Sequence, residues 1–192
     1  MPNDVKPARG QLFVVSGPSG VGKGTLVAKV AERLSDEVWV SVSATTRAPR
    51  KGEVDGVNYF FKTREEFQNL IDTDGLLEWA QYSDNFYGTP RASVESALES
   101  GKSVILEIEV QGAFQVREKM PEARLVFIEP PSMDELKRRL LGRATDSDEQ
   151  LEKRLKTAEV ELSHKMDYDI CLVNDRLSVA TDELCNIIQS QD

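Results

Sequence analysis

Four glycines fall within residues 17–24, at Gly17, Gly20, Gly22 and Gly24, between a short apolar run and an amphipathic segment. Few features narrow a fold as much. The run over 11–16 (Gln-Leu-Phe-Val-Val-Ser) has the near-continuous apolar character of a buried strand in a parallel sheet. From Thr25 to Leu34, the residues Leu26, Val27, Val30, Ala31 and Leu34 recur at helical spacing. A glycine-rich turn from buried strand to helix lets the backbone point its N–H groups inward at an anion, and the helix adds its positive end. The segment Gly17, Pro18, Ser19, Gly20, Val21, Gly22, Lys23, Gly24, Thr25 therefore reads as a phosphate loop, with Lys23 as a point charge for the outer phosphates of a nucleoside triphosphate. The strict pattern has Ser or Thr directly after the lysine. Here that position is Gly24, and the hydroxyl comes one residue later, at Thr25.

Further strands are expected over 38–43, 57–61, 103–108, 124–128 and 168–173, with short antiparallel strands over 76–82 and around Tyr87. Helices are expected over 64–72, 91–100, 133–141, 149–166 and 179–189. The helix at Arg64 starts on a capping box, Thr63 with Glu66, and the one ending at Ser100 is stopped by Gly101. Strands alternating with helices predict a three-layer α/β/α fold with a mostly parallel sheet. The turn-rich stretch from about 44 to 90 breaks that rhythm and reads as an insertion with its own small sheet. Ligands in such folds sit at the carboxyl ends of the parallel strands.

Composition narrows the partners. The chain has 192 residues, 40% of them hydrophobic and 30% charged, as expected of a globular domain. Its formal charge of −9 excludes a surface built to bind nucleic acid, so any phosphate site must come from local basic clusters. Residues 1–9 carry no apolar signal region and read as a mobile tail, and no run approaches the ~20 apolar residues that span a bilayer. Cys171 and Cys185 fit neither a zinc motif nor a disulfide framework, which suggests a reducing cytoplasm.

Two further basic clusters stand out. Arg47 and Arg50, three residues apart beside Pro49, form a fork suited to a second phosphate, with Tyr59 and Tyr87 as hydroxyl donors. Arg139 and Arg143 lie four apart on a helical pattern, and Arg154 is on the next helix. Between the clusters, Glu78 stands among apolar residues, where an unpartnered carboxylate is costly. A carboxylate accepts from the adjacent N1–H and N2 amine of guanine together; adenine presents no such pair. Glu107 and Glu109, two apart near a strand's carboxyl end, are expected to share one strand face. His164 reads as surface or structural, and Trp39 and Trp79 as core.

With these residues in order, the sequence resembles the guanylate kinases, which phosphorylate GMP to GDP with ATP. The resemblance runs from about Gly10 to the C-terminus. It is carried by the phosphate loop, by Ser43-Ala-Thr-Thr-Arg47-x-x-Arg50, Gly52-Glu-x-x-Gly-x-x-Tyr59-x-Phe61, Glu78-Trp-Ala-x-Tyr82, Tyr87-Gly88-Thr89, Glu107-Ile-Glu-Val-Gln-Gly112 and Gly142-Arg143-x-Thr-Asp146. It implies a core (10–40, 92–133, 158–192), a GMP-binding region (41–91) and a lid (134–157). It also implies that Arg47, Arg50, Tyr59 and Tyr87 hold the GMP phosphate, while Ser43, Glu78, Gly88 and Thr89 surround guanine and Glu107 and Glu109 reach GMP. Residues 17–25 and Asn174 would bind ATP, and Lys23, Arg47, Arg139, Arg143 and Arg154 would carry catalysis. Mg²⁺ would enter with ATP, held by its phosphates and water with Glu107, rather than by a direct protein ligand. The partners would be ATP, GMP and dGMP, without nucleic acid or membrane, on a monomer or homodimer. Thr89, Glu109 and Ala144 depart from the residues usual in that family. Rival readings are another nucleoside monophosphate kinase, disfavoured by Glu78, and a kinase-like phosphopeptide-binding module, disfavoured by the intact loop and Lys23.

Overall fold

A computed structural model of the chain describes residues 8–142 and 148–190. Most of the expected tail, together with Arg143 and Ala144, lies outside the described residues. Five parallel strands form the main sheet: β1 (Leu12–Ser16), β2 (Val38–Val40), β7 (Ser103–Glu107), β8 (Arg124–Glu129) and β9 (Ile170–Val173). Their order is β2-β7-β1-β8-β9, so the phosphate loop leaves the central strand. The side-chain period of two divides the core between two faces. Phe13, Val15, Ile105, Val126 and Ile128 pack on one side with α1 (Lys23–Arg33), α5 (Met133–Leu141), α6 (Asp148–Ser163) and α7 (Leu177–Gln189). Leu12, Val14, Val104, Leu106, Leu125 and Phe127 pack on the other with α3 (Arg91–Glu99) and α4 (Val110–Lys119). This is the three-layer arrangement anticipated from the alternation of elements.

The insertion is a second sheet, order β4-β3-β6-β5, built from β3 (Ala44–Thr45), β4 (Phe60–Phe61), β5 (Leu76–Tyr82) and β6 (Asn85–Pro90). It is mixed: β3 and β4 are parallel and the other pairs antiparallel. α2 (Arg64–Asp72) covers it, starting on the capping box in which the Thr63 hydroxyl accepts from the Glu66 N–H and the Glu66 carboxylate accepts from the Thr63 N–H. Its small core gathers Ala44, Phe67 and Leu76, with Phe67 stacked on Phe86 at 5.6 Å.

Several elements differ from expectation. β2 ends at Val40 rather than Ser43: its register with β7 stops at Val40 opposite Ile105, with Ser41 N–H making the last bond, to Ile105 O at 2.9 Å. The strand at 57–61 shrinks to Phe60–Phe61, since Val54–Asn58 turn back on themselves through Asn58 N–H to Val54 O at 3.0 Å. α6 ends at Ser163, and a 3₁₀ turn takes Lys165–Asp167. The sequence pattern marks no element over 110–119, where α4 forms. Gly112 and Ala113 lie buried at its docking face and dilute the apolar stripe that would have announced it. Among the described residues no helix is long and apolar enough to cross a membrane.

Candidate active site

The phosphate loop takes its shape from glycines. Gly17, Gly20 and Gly22 have φ of 147°, 86° and 96°, where L side chains are strained. Lys23 Nζ donates to the Gly17 carbonyl across the loop. Distant side chains hold the loop from outside. Asn174 Nδ2 donates to Val21 O at 2.9 Å, Arg139 to the same oxygen at 3.2 Å, and Arg154 to the Ser19 hydroxyl at 2.8 Å. Val21 itself is wholly buried. Burial pulls the Lys23 ammonium below its usual value, opposed by the charges of Glu161, Glu107 and Glu109. A cation held among three carboxylates and partly stripped of water is poised for an anion.

Gly24 has a close neighbour. A Cβ placed there would stand 3.4 Å from one Glu107 carboxylate oxygen and 3.7 Å from the other. The Glu107 carboxylate therefore occupies the space beside the position where the strict motif carries its hydroxyl. Burial raises the Glu107 carboxyl above its ordinary value, with Lys23 opposing. Thr25 is exposed at the start of α1.

The second cluster lies on the insertion. Arg47 is gripped bidentately by Glu53 at 2.9 and 3.0 Å, and the third carboxylate contact is the Arg50 backbone N–H at 2.7 Å. Glu53 is correspondingly held below the usual glutamate value, first by Arg47. The Arg47 guanidinium lies 5.3 Å from the Tyr59 ring centre, and Tyr59 meets Tyr87 edge to face at 6.2 Å. Arg47, Tyr59 and Tyr87 are thus assembled. Arg50 is exposed on the rim.

Beside this cluster is a buried carboxylate. Glu78 is only 7% exposed, and Thr89 Oγ1 donates to it at 2.6 Å. The two residues are direct cross-strand partners in β5 and β6. Ala44 stands opposite Gly88, so continuing that register by one residue brings Ser43 opposite Thr89. Burial raises the Glu78 carboxyl; the Thr89 hydroxyl opposes this, and the nearby charge of Glu109 adds to it. Glu109 is felt by both Lys23 and Glu78, so it stands between the two halves of the site.

The expectation that Glu107 and Glu109 share a strand face fails. β7 ends at Glu107, and Glu109 is the N-cap of α4, in extended conformation past the strand. β7 itself is an interior strand, flanked by β1 and β2. Asn174, expected from sequence to bind ATP, lies against the phosphate loop with its amide nitrogen on Val21 O. Lys137 and Arg138 are exposed, as expected, with Arg138 paired to Glu135. His164 pairs with Asp167 at 3.1 Å and packs against Phe114; Trp39 and Trp79 pack on the cores. Sequence reasoning missed Glu53, although it lies in a quoted motif, and Glu161. Glu161 sits on α6, with one carboxylate oxygen buried and unpaired. Nothing local in the sequence signals its approach to Lys23 across 138 positions, from 23 to 161.

A glycine phosphate loop at the carboxyl end of the central parallel strand, with a second arginine-lined cluster on an inserted sheet, defines a P-loop kinase acting on two nucleotides. Comparison with known proteins narrows the class. The guanylate kinase family model matches residues 9–191, and the chain belongs to that family. It is 50% identical over 182 residues to the guanylate kinase of Desulfitobacterium hafniense (strain Y51), covering 95% of this chain and 90% of that one. It is 54% identical over 176 residues to that of Synechococcus sp. (strain JA-3-3Ab), covering 92% and 81%. Among solved structures, guanylate kinase from Anaplasma phagocytophilum superposes with a TM-score of 0.71 at 38% identity, covering 95% of this chain and 86% of that one.

Proposed function

We infer that this chain transfers the γ-phosphoryl group of ATP to GMP, giving ADP and GDP. The observation that carries the choice of acceptor is the buried Glu78 carboxylate with its Thr89 partner, next to the Arg47, Tyr59 and Tyr87 cluster. One carboxylate oxygen is engaged by Thr89, yet each oxygen has two lone pairs, so the group still accepts from guanine N1–H and N2–H. Ser43, Gly88 and Thr89 complete the base pocket, and Arg47, Arg50, Tyr59 and Tyr87 take the GMP phosphate. Glu109 and Glu107 bound the space between the nucleotides. dGMP is the expected second acceptor.

Phosphoryl transfer needs alignment and charge neutralisation more than covalent help. The GMP phosphate oxygen is already anionic, so no strong base is required. It bonds to the γ-phosphorus as the bond to the ADP oxygen breaks. Residues 17–25 cradle the ATP phosphates. Lys23 and Arg47, with Arg139, Arg143 and Arg154, neutralise the charge that develops. Asn174 contributes by holding the loop. Residues 134–157 act as the lid, excluding water that would otherwise take the phosphoryl group.

The site suits Mg²⁺: Glu107 is a hard oxygen donor standing beside Gly24 in the phosphate loop. When bound, Mg²⁺ draws charge from the phosphate oxygens. Glu107 would hold it through water, with the nucleotide supplying the other ligands. The unpaired thiols of Cys171 and Cys185 suit the cytoplasm, where the protein would act on small molecules as a monomer or homodimer, without nucleic acid or membrane. A coupled assay with ATP and each nucleoside monophosphate tests the reading: GMP is expected to be strongly preferred, and equal turnover of AMP would overturn it.

A further inference from the structure

β5 is the outer strand of the inserted sheet, so one row of its backbone groups has no strand to pair with. α4 takes over that role. Trp79 N–H donates to Gln115 Oε1 at 3.1 Å, and Gln115 Nε2 donates back to Trp79 O at 3.0 Å. Trp79 presents one donor and one acceptor, and the planar amide matches both, forming one rung of a β-ladder supplied by a helix. One turn further along, Lys119 Nζ donates to Leu76 O at 2.7 Å. One turn earlier, Gly112 lets the helix come so close that a Cβ there would stand 2.8 Å from Glu78 Oε2. Positions 112, 115 and 119 share one helix face. The register irregularity between Leu76 and Glu78 fits this docking, because it turns Leu77 into the main core while Leu76 stays in the small one.

Glu78 is the residue immediately before Trp79. Its carboxylate must face guanine with an accuracy of a few tenths of an ångström, and such accuracy comes from supporting contacts. On its ladder side β5 is fixed by β6; on its open side it is fixed by Gln115. We propose that Gln115 is a positioning residue for guanine recognition, holding the Glu78 segment of β5 against α4. This rests on the reading of Glu78 given above. The same helix begins at Glu109, so it ties the carboxyl end of β7 to the base pocket through one rigid element.

Gln115→Met keeps the side-chain volume and removes both hydrogen bonds. The measurements are KM for GMP and for ATP, the preference for GMP over IMP (which lacks the N2 amine), and Tm. KM for GMP is expected to rise about 10- to 30-fold, with a comparable fall in the GMP/IMP preference and KM for ATP within about twofold. Gln115→Glu keeps the acceptor for Trp79 N–H but turns an anionic oxygen on Trp79 O, so it should raise KM for GMP at least as much. Unchanged GMP kinetics, or equal increases in both KM values with the GMP/IMP preference intact, would overturn the proposal. If Gln115→Met does not fold, calorimetric GMP binding to Gln115→Glu decides: wild-type affinity overturns it. Glu78→Gln run alongside separates the two ideas. If it keeps full GMP preference, the guanine reading falls and the proposal with it. If it loses that preference while Gln115→Met does not, only the role of Gln115 falls.

Discussion

Replacing Glu78 by Gln changes one oxygen into an amide nitrogen and alters almost nothing else. The carbonyl oxygen can keep the bond from Thr89 Oγ1, which is 2.6 Å long in the native protein. The NH₂ then falls where Oε2 was, the oxygen nearest Gly112, and turns a donor towards guanine donors. One charge-assisted hydrogen bond is lost, at about 1.5–3 kcal/mol, and a donor is left facing a donor, at about 1–3 kcal/mol. A sum near 4 kcal/mol corresponds to about 10³ in kcat/KM for GMP. Because Glu78 carries a carboxyl raised by burial, the fold and the function pull in opposite directions. A carboxyl whose native value lies above its unfolded value of 4.5 stabilises the fold fully below that value, and the contribution is lost as pH rises through the native value. At neutral pH the ionised group therefore costs stability. Glu78→Gln is expected to raise Tm at pH 7–8, by about 2–4 °C for each kcal/mol recovered, with the gain shrinking as pH falls through the raised native value and gone below 4.5. In the native enzyme kcat/KM for GMP should fall on acidification through the raised Glu78 value, and the variant should lack that limb apart from the titration of GMP itself. Steady-state kinetics with GMP, AMP and IMP, and calorimetry across pH, supply both readouts. A variant that keeps its GMP/AMP ratio, or that melts lower at neutral pH, refutes the reasoning.

Other perturbations test the phosphate loop. Lys23→Ala should lower kcat by at least about 10² while the circular dichroism spectrum and melting transition persist, because the Lys23 charge is desolvated in the native state and supports little of the fold; normal kcat would remove Lys23 from the mechanism. Gly24→Ser should fold, since Gly24 has no positive φ and a helix favours Ser over Gly by about 0.5 kcal/mol. The Cβ would stand in van der Waals contact with the Glu107 carboxylate, and the hydroxyl beyond it would compete for that carboxylate, so the Mg²⁺ needed for half-maximal rate should rise several-fold. An unchanged Mg²⁺ titration would separate Glu107 from the metal.

How much of this was legible in the sequence depended on range. The phosphate loop and the capping box at Thr63 and Glu66 are local patterns, and both appear in the structure where the spacing put them. The strands of the main sheet were visible because a doubly covered strand needs an unbroken apolar run. Glu78 was visible because a carboxylate among buried residues demands a partner. The failures share another origin. α4 hides because the face that docks β5 uses Gly112, Gln115 and Lys119, polar or small residues that no apolar period reports. Glu109 was assigned to a strand by counting in twos past the point where β7 ends. The bonds from Asn174, Arg139 and Arg154 to the loop, and the approach of Glu161 to Lys23, join residues with no local relation at all.

Those long-range bonds impose a sequence of events on the newborn chain. Val21 leaves the ribosome early, yet the Asn174 amide that braces it is 153 residues behind, and Arg139 is 118 behind. At about 5–20 residues per second, Val21 precedes Asn174 by roughly 8–30 s. During that interval the glycines have their freedom without their restraints, and β9, which delivers Asn174 beside the sheet, does not exist. A ribosome-stalled chain ending before residue 170 is expected to pass through immobilised ATP unretained, while the released full-length chain binds. ATP, abundant around every ribosome, is then a ligand only for the finished protein and gives no foothold to the growing one.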